Sequence, residues 1–366
     1  MNPPDASRGQ LKDIIKRIRE LPVRPMKLME VCGTHTVAVF HAGIRNTLLA
    51  ERGIQLVSGP GCPVCVTAAA EIDDLSQLAL RDTERIIVTA YGDLFRAKGH
   101  QMSLAEARAS GARVKLVTSA FDNIRLAEEF PEKQVVFFGI GFETTQPGLA
   151  HTVLEAERRE LANFSVYVSH KLVIPALKVL AEDPRLELDG FILPGHVSTI
   201  IGEKPYAFLA TEYGIPGVIA GFESADIVLA VYHLLAMQEE GQPRIVNAYP
   251  RAVRPCGNQR AQEMIGEVFE PIDACWRGIG AIPKSGHRLR ERFTRFDAHK
   301  RFSLQHIVED EAGFGMCRCG DVLRGLLSPP DCGLFGTACT PDSPLGACMV
   351  SAEGACSNYY RFGQLR

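Results

Sequence analysis

The chain is 366 residues long, 46% hydrophobic and 23% charged, with a formal net charge of −3. This is ordinary globular composition with room for two or three domains, and it carries no electrostatic footprint for nucleic acid or an anionic membrane. The first ten residues lack the apolar core of a signal peptide, and the longest apolar stretch, 227–237, contains His233 and is too short to span a bilayer. These features predict a cytosolic protein whose thiols stay reduced. Eleven cysteines in such a protein read as ligands and redox groups rather than as a disulfide framework.

Residues 11–20 carry apolar side chains at helical spacing. Short apolar runs then alternate with helical patterns. The runs at 26–31, 55–58, 85–90, 113–118, 134–140, 165–169, 190–193 and 216–220 predict strands. Helices are expected at 67–80, 103–110, 121–130, 147–160, 175–181 and 224–238. This rhythm predicts an α/β fold with parallel strands in one sheet or two, and the division into two similar parallel-sheet βα lobes facing a cleft is favoured. The first lobe is assigned to 1–130 and the second to 131–240. Residues 242–295 read as helix mixed with Pro- and Gly-rich connections, so 241–366 is a helical connection leading to a small Cys-rich, mostly helical or irregular domain. The segment 329–355 cannot build much apolar core alone and needs a staple such as a bound cluster.

Cys32 follows the first predicted strand, within Cys32-Gly33-Thr34-His35-Thr36. The carboxyl end of a strand is where open α/β sheets form ligand sites. Thr34, His35 and Thr36 are candidate donors to whatever Cys32 holds, and a nearby histidine can lower a thiol's pKa. The alternative is a buried structural cysteine. Next comes Gly59-Pro60-Gly61-Cys62-Pro63-Val64-Cys65, on a strand-to-helix turn. The helix N-terminus stabilises a thiolate at the first cysteine, and the spacing suits a redox pair in a cytosolic βα setting. The glycines allow close approach of the backbone to another group.

Two further loops follow strands. Gly141-Phe142-Glu143-Thr144-Thr145 lacks both the dinucleotide fingerprint and a Walker loop, leaving Glu143 and Thr144 as candidate cleft lining. Pro194-Gly195-His196-Val197-Ser198 places His196 similarly, although a histidine there serves equally well in packing or capping. His170 and Lys171 close another strand. In the tail, Cys317, Cys332, Cys339 and Cys356 are separated by fourteen, six and sixteen residues, and Cys319 and Cys348 are alternative ligands. Four thiolates on irregular backbone suit a [4Fe–4S] cluster or structural zinc, and the lack of Cys-x-x-Cys knuckles weighs against zinc. Cys256 and Cys275 belong to no motif.

The four loop motifs, with the tail Cys339-Thr340-Pro341, Gly346-Ala347-Cys348-Met349-Val350-Ser351 and Glu353-Gly354-Ala355-Cys356 as a fifth, resemble the HypD family of [NiFe]-hydrogenase maturation proteins over nearly the whole chain. The resemblance implies two α/β lobes plus a small iron–sulfur domain. It implies a scaffold role in assembling the Fe(CN)2CO unit of the hydrogenase active site. A small partner, HypC, would share the iron, and HypE, charged by HypF, would deliver cyanide. Carried over, Cys32 holds the iron, Cys62 and Cys65 form the redox pair, and the four C-terminal cysteines hold a [4Fe–4S] cluster that passes electrons toward that pair. Such a protein is a redox-active metallo-scaffold more than a turnover enzyme. Two competing readings are a stand-alone iron–sulfur thiol-disulfide oxidoreductase and a zinc-stabilised structural protein.

Overall fold

A computed structural model describes residues 8–22, 24–307 and 317–363. Residues 1–7, on which part of the expectation about a leader rests, lie outside the described residues. No described helix is long and apolar enough to cross a membrane.

The strands, in chain order, are β1 (Met26–Glu30), β2 (Ile54–Ser58), β3 (Ile86–Tyr91), β4 (Arg113–Val117), β5 (Gln134–Gly141), β6 (Phe164–His170), β7 (Gly190–Pro194), β8 (Gly217–Ala220), β9 (Ile245–Asn247), β10 (Phe269–Trp276) and β11 (Gly280–Leu289). All eight expected strands form. Most are apolar and buried along most of their length, as strands covered on both faces must be, whereas the edge strand β4 buries only Val114 and Val117. Helices separate most of them. Ser103 and Glu106 cap the helix Leu104–Ala109 reciprocally, and Gly241, at φ 63°, ends the helix Ser224–Glu240 in the left-handed region.

Two parallel sheets result. The larger has strand order β2-β1-β7-β8-β9, and the smaller β4-β3-β5-β6. The smaller sheet is therefore drawn wholly from residues 86–170, while the larger takes strands from both sides of it. This corrects the contiguous division at 130 and 240. The pairing of β1 with β7 and of β3 with β5 closes each sheet across that boundary. Register brings the strand ends level. Glu30 pairs with Ser58 and Ile192, and Gly141 pairs with His170. The loops that carry the motifs thus emerge together from the carboxyl ends.

The reading of 242–295 is also corrected in part. The helix Gln259–Val268 forms, but β10 and β11 build an antiparallel hairpin with a register shift between Ile272 and Ala274. The hairpin buries Trp276, whose indole N–H donates to Ser285 Oγ at 2.8 Å. Arg277, at its tip, reaches the turn after Cys65. Its backbone N–H donates to Val66 O, and its guanidinium donates to Thr67 O and Lys98 O.

The Cys-rich C-terminal region consists of short helices joined by irregular backbone. Its last helix, Ala355–Phe362, packs on the helix Gly33–His41 through Phe40 against Tyr359 and His41 against Phe362. Arg45 stacks over the Tyr359 ring at 4.4 Å. The tail is thereby clamped to the element that begins beside Cys32.

Candidate functional site: a thiol beside a cleft and a row of thiols behind it

Cys32 is the N-cap residue of the helix Gly33–His41 and is 7% exposed. Burial pushes its thiol up to about 12, against the backbone N–H groups of His35 and Thr34, which favour the thiolate. The sulfur opens on a cavity of about 140 Å³ bounded by the strand-end loops of both sheets. Gly61 and Pro63 come from the loop after β2, Phe142, Thr144 and Thr145 from that after β5, and Pro194 and His196 from that after β7.

The expected close approach is made by Gly61. A Cβ there would sit 2.5 Å from the carbonyl carbon of Val31, and Gly33 N–H donates to Gly61 O at 3.1 Å. The Cys62 turn is thus pressed against the Cys32 backbone.

The structure divides the other expected residues between two roles. Thr34, Thr144 and His196 line the cavity, with His196 stacked on Phe222 at 3.8 Å. His35 and Glu143 stand behind the wall. The His35 ring turns away from Cys32, and its Nε2 bonds to Ala220 O and Gly221 O at 3.2 and 3.0 Å. Burial lowers its pKa to about 4, so it is neutral and lends Cys32 no positive charge; this corrects the expectation of an imidazole lowering the thiol's pKa. Thr36 bonds to Glu30 and Ser58 rather than reaching the cavity. Glu143 is 5% exposed and accepts from Val173 N–H at 2.9 Å, and burial raises it to about 7.

Two site residues were not read from the sequence. Glu353, from the C-terminal region, lines the cavity and accepts from Thr34 Oγ1 at 2.8 Å. Glu30 accepts from the Cys32 N–H at 3.0 Å, and burial raises its pKa to about 7. Its only signal was a carboxylate inside an apolar run.

The redox candidates face the other way. Cys62 Sγ accepts from Cys65 N–H at 3.2 Å, as the N-cap of the short helix Pro63–Val66. Cys65 is wholly buried, and burial raises its thiol well above the ordinary range, opposed by a hydrogen bond with Cys348. Cys348 in turn hydrogen-bonds with Cys319 and Cys356, and Cys319 with Cys317. A continuous row of thiols therefore runs from Cys62 into the tail.

All six tail cysteines, Cys317, Cys319, Cys332, Cys339, Cys348 and Cys356, line one pocket. Its walls also include Arg318, Val322, Leu334, Phe335 and Met349, and among the described residues no carboxylate lines it. Leu345 N–H points at Cys339 Sγ at 3.4 Å. An all-sulfur donor set in an apolar wall, with an N–H aimed at one sulfur, fits a [4Fe–4S] cluster and does not fit a hard cation. Cys256 is exposed and Cys275 buried, both outside the pocket and the cavity.

The HypD family model, described as the hydrogenase formation hypA family, matches residues 9–363. The hydrogenase maturation factor HypD2 of Bradyrhizobium diazoefficiens is 44% identical over 356 residues, covering 94% of this chain and 91% of its own. The hydrogenase maturation factor HypD of Azotobacter vinelandii is 44% identical over 354 residues, covering 94% and 91%. That of Escherichia coli K12 is 40% identical over 365 residues, covering 97% and 96%. With strand-end thiols, a tail of six converging cysteines and this match along its length, the chain belongs to the HypD family of hydrogenase maturation factors.

Proposed function

We propose that the protein is a cytoplasmic scaffold on which the Fe(CN)2CO unit of the [NiFe]-hydrogenase active site is assembled, a metallo-scaffold rather than a turnover enzyme. One observation carries this reading. A single thiol, Cys32, opens on a cavity walled by both sheets, and a separate row of thiols begins at the turn pressed against it.

The iron unit is cargo. Its soft anchor is Cys32, which stays a neutral thiol until metal arrives and gives up its proton on coordination. The cavity has the liquid volume of roughly five waters, the scale of an iron carrying three diatomic ligands. Thr34 and Thr144 supply hydroxyls, and His196 an imidazole, around that space. A HypC-type chaperone sharing the iron and a HypE-type cyanide donor would reach it at the mouth, where Thr144 and His196 are exposed.

Behind the cavity, closing a Cys62–Cys65 disulfide releases two electrons and two protons, available for attaching or making a diatomic ligand. Exchange of that disulfide with the Cys319 and Cys348 thiols moves the oxidised pair inward with no net change in electrons. Because Cys319 and Cys348 stand in line between Cys65 and the rest, Cys317, Cys332, Cys339 and Cys356 are the set assigned to a cluster. A [4Fe–4S] cluster supplies one-electron chemistry when bound.

The test is an infrared spectrum in the cyanide and carbonyl stretching region, on protein co-produced anaerobically with its maturation partners. Bands from both diatomics are expected, and Cys32→Ala removes them. If Cys62→Ala/Cys65→Ala protein still carries iron with both ligands, the redox role is wrong. The thiol row by itself equally suits a stand-alone iron–sulfur thiol-disulfide oxidoreductase. A spectrum without diatomic bands, together with steady turnover of a dithiol, would select that second reading.

A further inference from the structure

A second constellation lies away from the cavity and the thiol row. After β11, Asp297 bridges to Val166 of β6, the outer strand of the smaller sheet. Its carboxylate caps the short helix Ala298–Phe302, accepting from His299 N–H at 2.9 Å, and lies 3.3 Å from His299 Nδ1. The His299 ring is held between two others. Tyr167 lies on one side with centroids 4.0 Å apart, and His306 is stacked at 3.8 Å. Tyr167 is itself anchored, its hydroxyl donating to Asp74 Oδ2 at 3.0 Å.

One donor atom from each of Asp297, His299 and His306 lies within 4.8 Å of the others. Asp297 and His299 are 5% and 4% exposed, whereas His306 is exposed. The group opens on a surface pocket of about 470 Å³ that also holds the Glu270 and Glu291 carboxylates. Two cations share this pocket, one paired with Glu270 inside it and one bonded to Thr294. Arg288 pairs with Glu270 at 2.7 Å, and Lys300 Nζ donates to Thr294 Oγ1 at 3.1 Å.

We propose that Asp297, His299 and His306 form a divalent transition-metal site. Two imidazoles and one carboxylate are a donor set for Zn2+, Fe2+ or Ni2+ rather than for Mg2+ or Ca2+. Two of the donors are pre-set by packing. Asp297 is fixed by the bridge to β6 and by the cap, and His299 by Tyr167. The third is exposed and closes the site from outside. Among the described residues three protein ligands leave a fourth position facing the pocket, the arrangement of an open site rather than of a closed structural one. Among the described residues no cysteine belongs to it, so it is chemically separable from the sulfur sites.

That separation defines the experiment. Reduced full-length protein is titrated anaerobically with Co2+, and bound metal is counted while the visible spectrum is recorded. Wild-type protein should bind one ion more than His306→Gln, and the difference spectrum should show d–d bands without thiolate-to-cobalt charge transfer. Cys32→Ala should keep this ion, and Asp297→Asn should weaken it at least tenfold. Because His306 is exposed, His306→Gln should melt at the wild-type temperature without metal. Equal Co2+ uptake by wild type and His306→Gln would overturn the proposal, as would a difference spectrum dominated by thiolate charge transfer.

Discussion

The two parallel sheets are built by the same rule and end in different chemistry. In the larger sheet, β1, β2 and β7 run into loops bearing Cys32, Cys62, Cys65 and His196. In the smaller, β5 runs into the loop bearing Glu143, Thr144 and Thr145, and β6 ends at His170, next to Lys171. The larger sheet brings the Cys32 thiol and the His196 imidazole to the cavity, and the smaller brings the Thr144 and Thr145 hydroxyls. On the proposed scaffold reading, Cys32 would grip a soft metal from one wall and the threonines would hydrogen-bond its ligands from the other. Duplicating a βα lobe thus gives two sets of strand ends that can specialise without altering either core.

The smaller sheet keeps its end rigid with a buried ion pair, and breaking it should produce the largest change in stability. Lys171 Nζ lies 3.4 Å from Glu71 Oε2, with side chains 2% and 7% exposed. Glu71 also accepts from Ser169 Oγ at 2.7 Å and Ala68 N–H at 3.1 Å. Lys171→Met leaves that carboxylate buried with neutral donors only and should cost about 3–5 kcal/mol in urea unfolding. Adding Glu71→Gln should restore more than half of the loss. If Lys171→Met alone shifts stability by less than about 1 kcal/mol, water or a further group must already satisfy Glu71.

Each lobe also hides one carboxyl group near the cavity, and pH should separate the two. Burial raises both Glu30 and Glu143 from 4.5 to about 7. Between those values the folded state holds a proton that the unfolded state has lost. Each group's stabilising contribution is therefore complete below 4.5 and is lost as pH rises toward 7, by about 3 kcal/mol at most. Glu143 accepts one backbone N–H, from Val173, and its other oxygen has no partner. Glu143→Gln should therefore match wild type near pH 5 and exceed it above pH 7, read as melting temperature against pH. Glu30 uses both oxygens as acceptors, toward Cys32 N–H and Thr36 Oγ1. Glu30→Gln offers one acceptor in their place and should be less stable at both pH values. Parallel pH profiles for Glu143→Gln and wild type would contradict this difference.

What was legible in the sequence follows the same division. Buried parallel strands declare themselves as apolar runs ended by glycine, so β1 to β8 were readable from local pattern. Which strands share a sheet was not, because β1 pairs with β7 across the whole smaller sheet and no local signal encodes that choice. The three residues of β9 are too few to make a pattern. The hairpin β10–β11 carries Pro271 and Pro283, which read as breakers in a connection. At the site, residue type and strand-end position exposed Cys32, Cys62, Cys65, Thr144 and His196. Side-chain direction was hidden: His35 sits next to the right loop but bonds to the far end of β8. Glu353 reaches the cavity from 321 positions beyond Cys32 (353 − 32). Asp297, His299 and His306 follow no ligand spacing and meet only through the turn of the chain.

The smallest expected effects come from a pair of glycines, one in each lobe, and they should differ in sign. At Gly61 an added Cβ meets backbone alone, the amide and Cα of Cys32 and the carbonyl carbon of Val31. No flexible side chain can yield there, so Gly61→Ala must push the Cys62 turn off the Cys32 loop. It should cost about 1–3 kcal/mol, the usual range for overpacking. It should also weaken metal retention at Cys32, because the two loops part. Gly148 lies inside the helix Gln146–Arg158 of the smaller lobe, where a Cβ meets nothing within 4 Å. Gly148→Ala removes unfolded-state freedom from a helical position and should stabilise by about 0.5–1 kcal/mol. Urea midpoints for the two variants test how tightly the strand-end loops of the larger sheet are packed around Cys32. A neutral Gly61→Ala would mean that the Cys62 turn is free to move relative to Cys32, and the proposed coupling of a redox pair to an iron anchor would lose its structural basis.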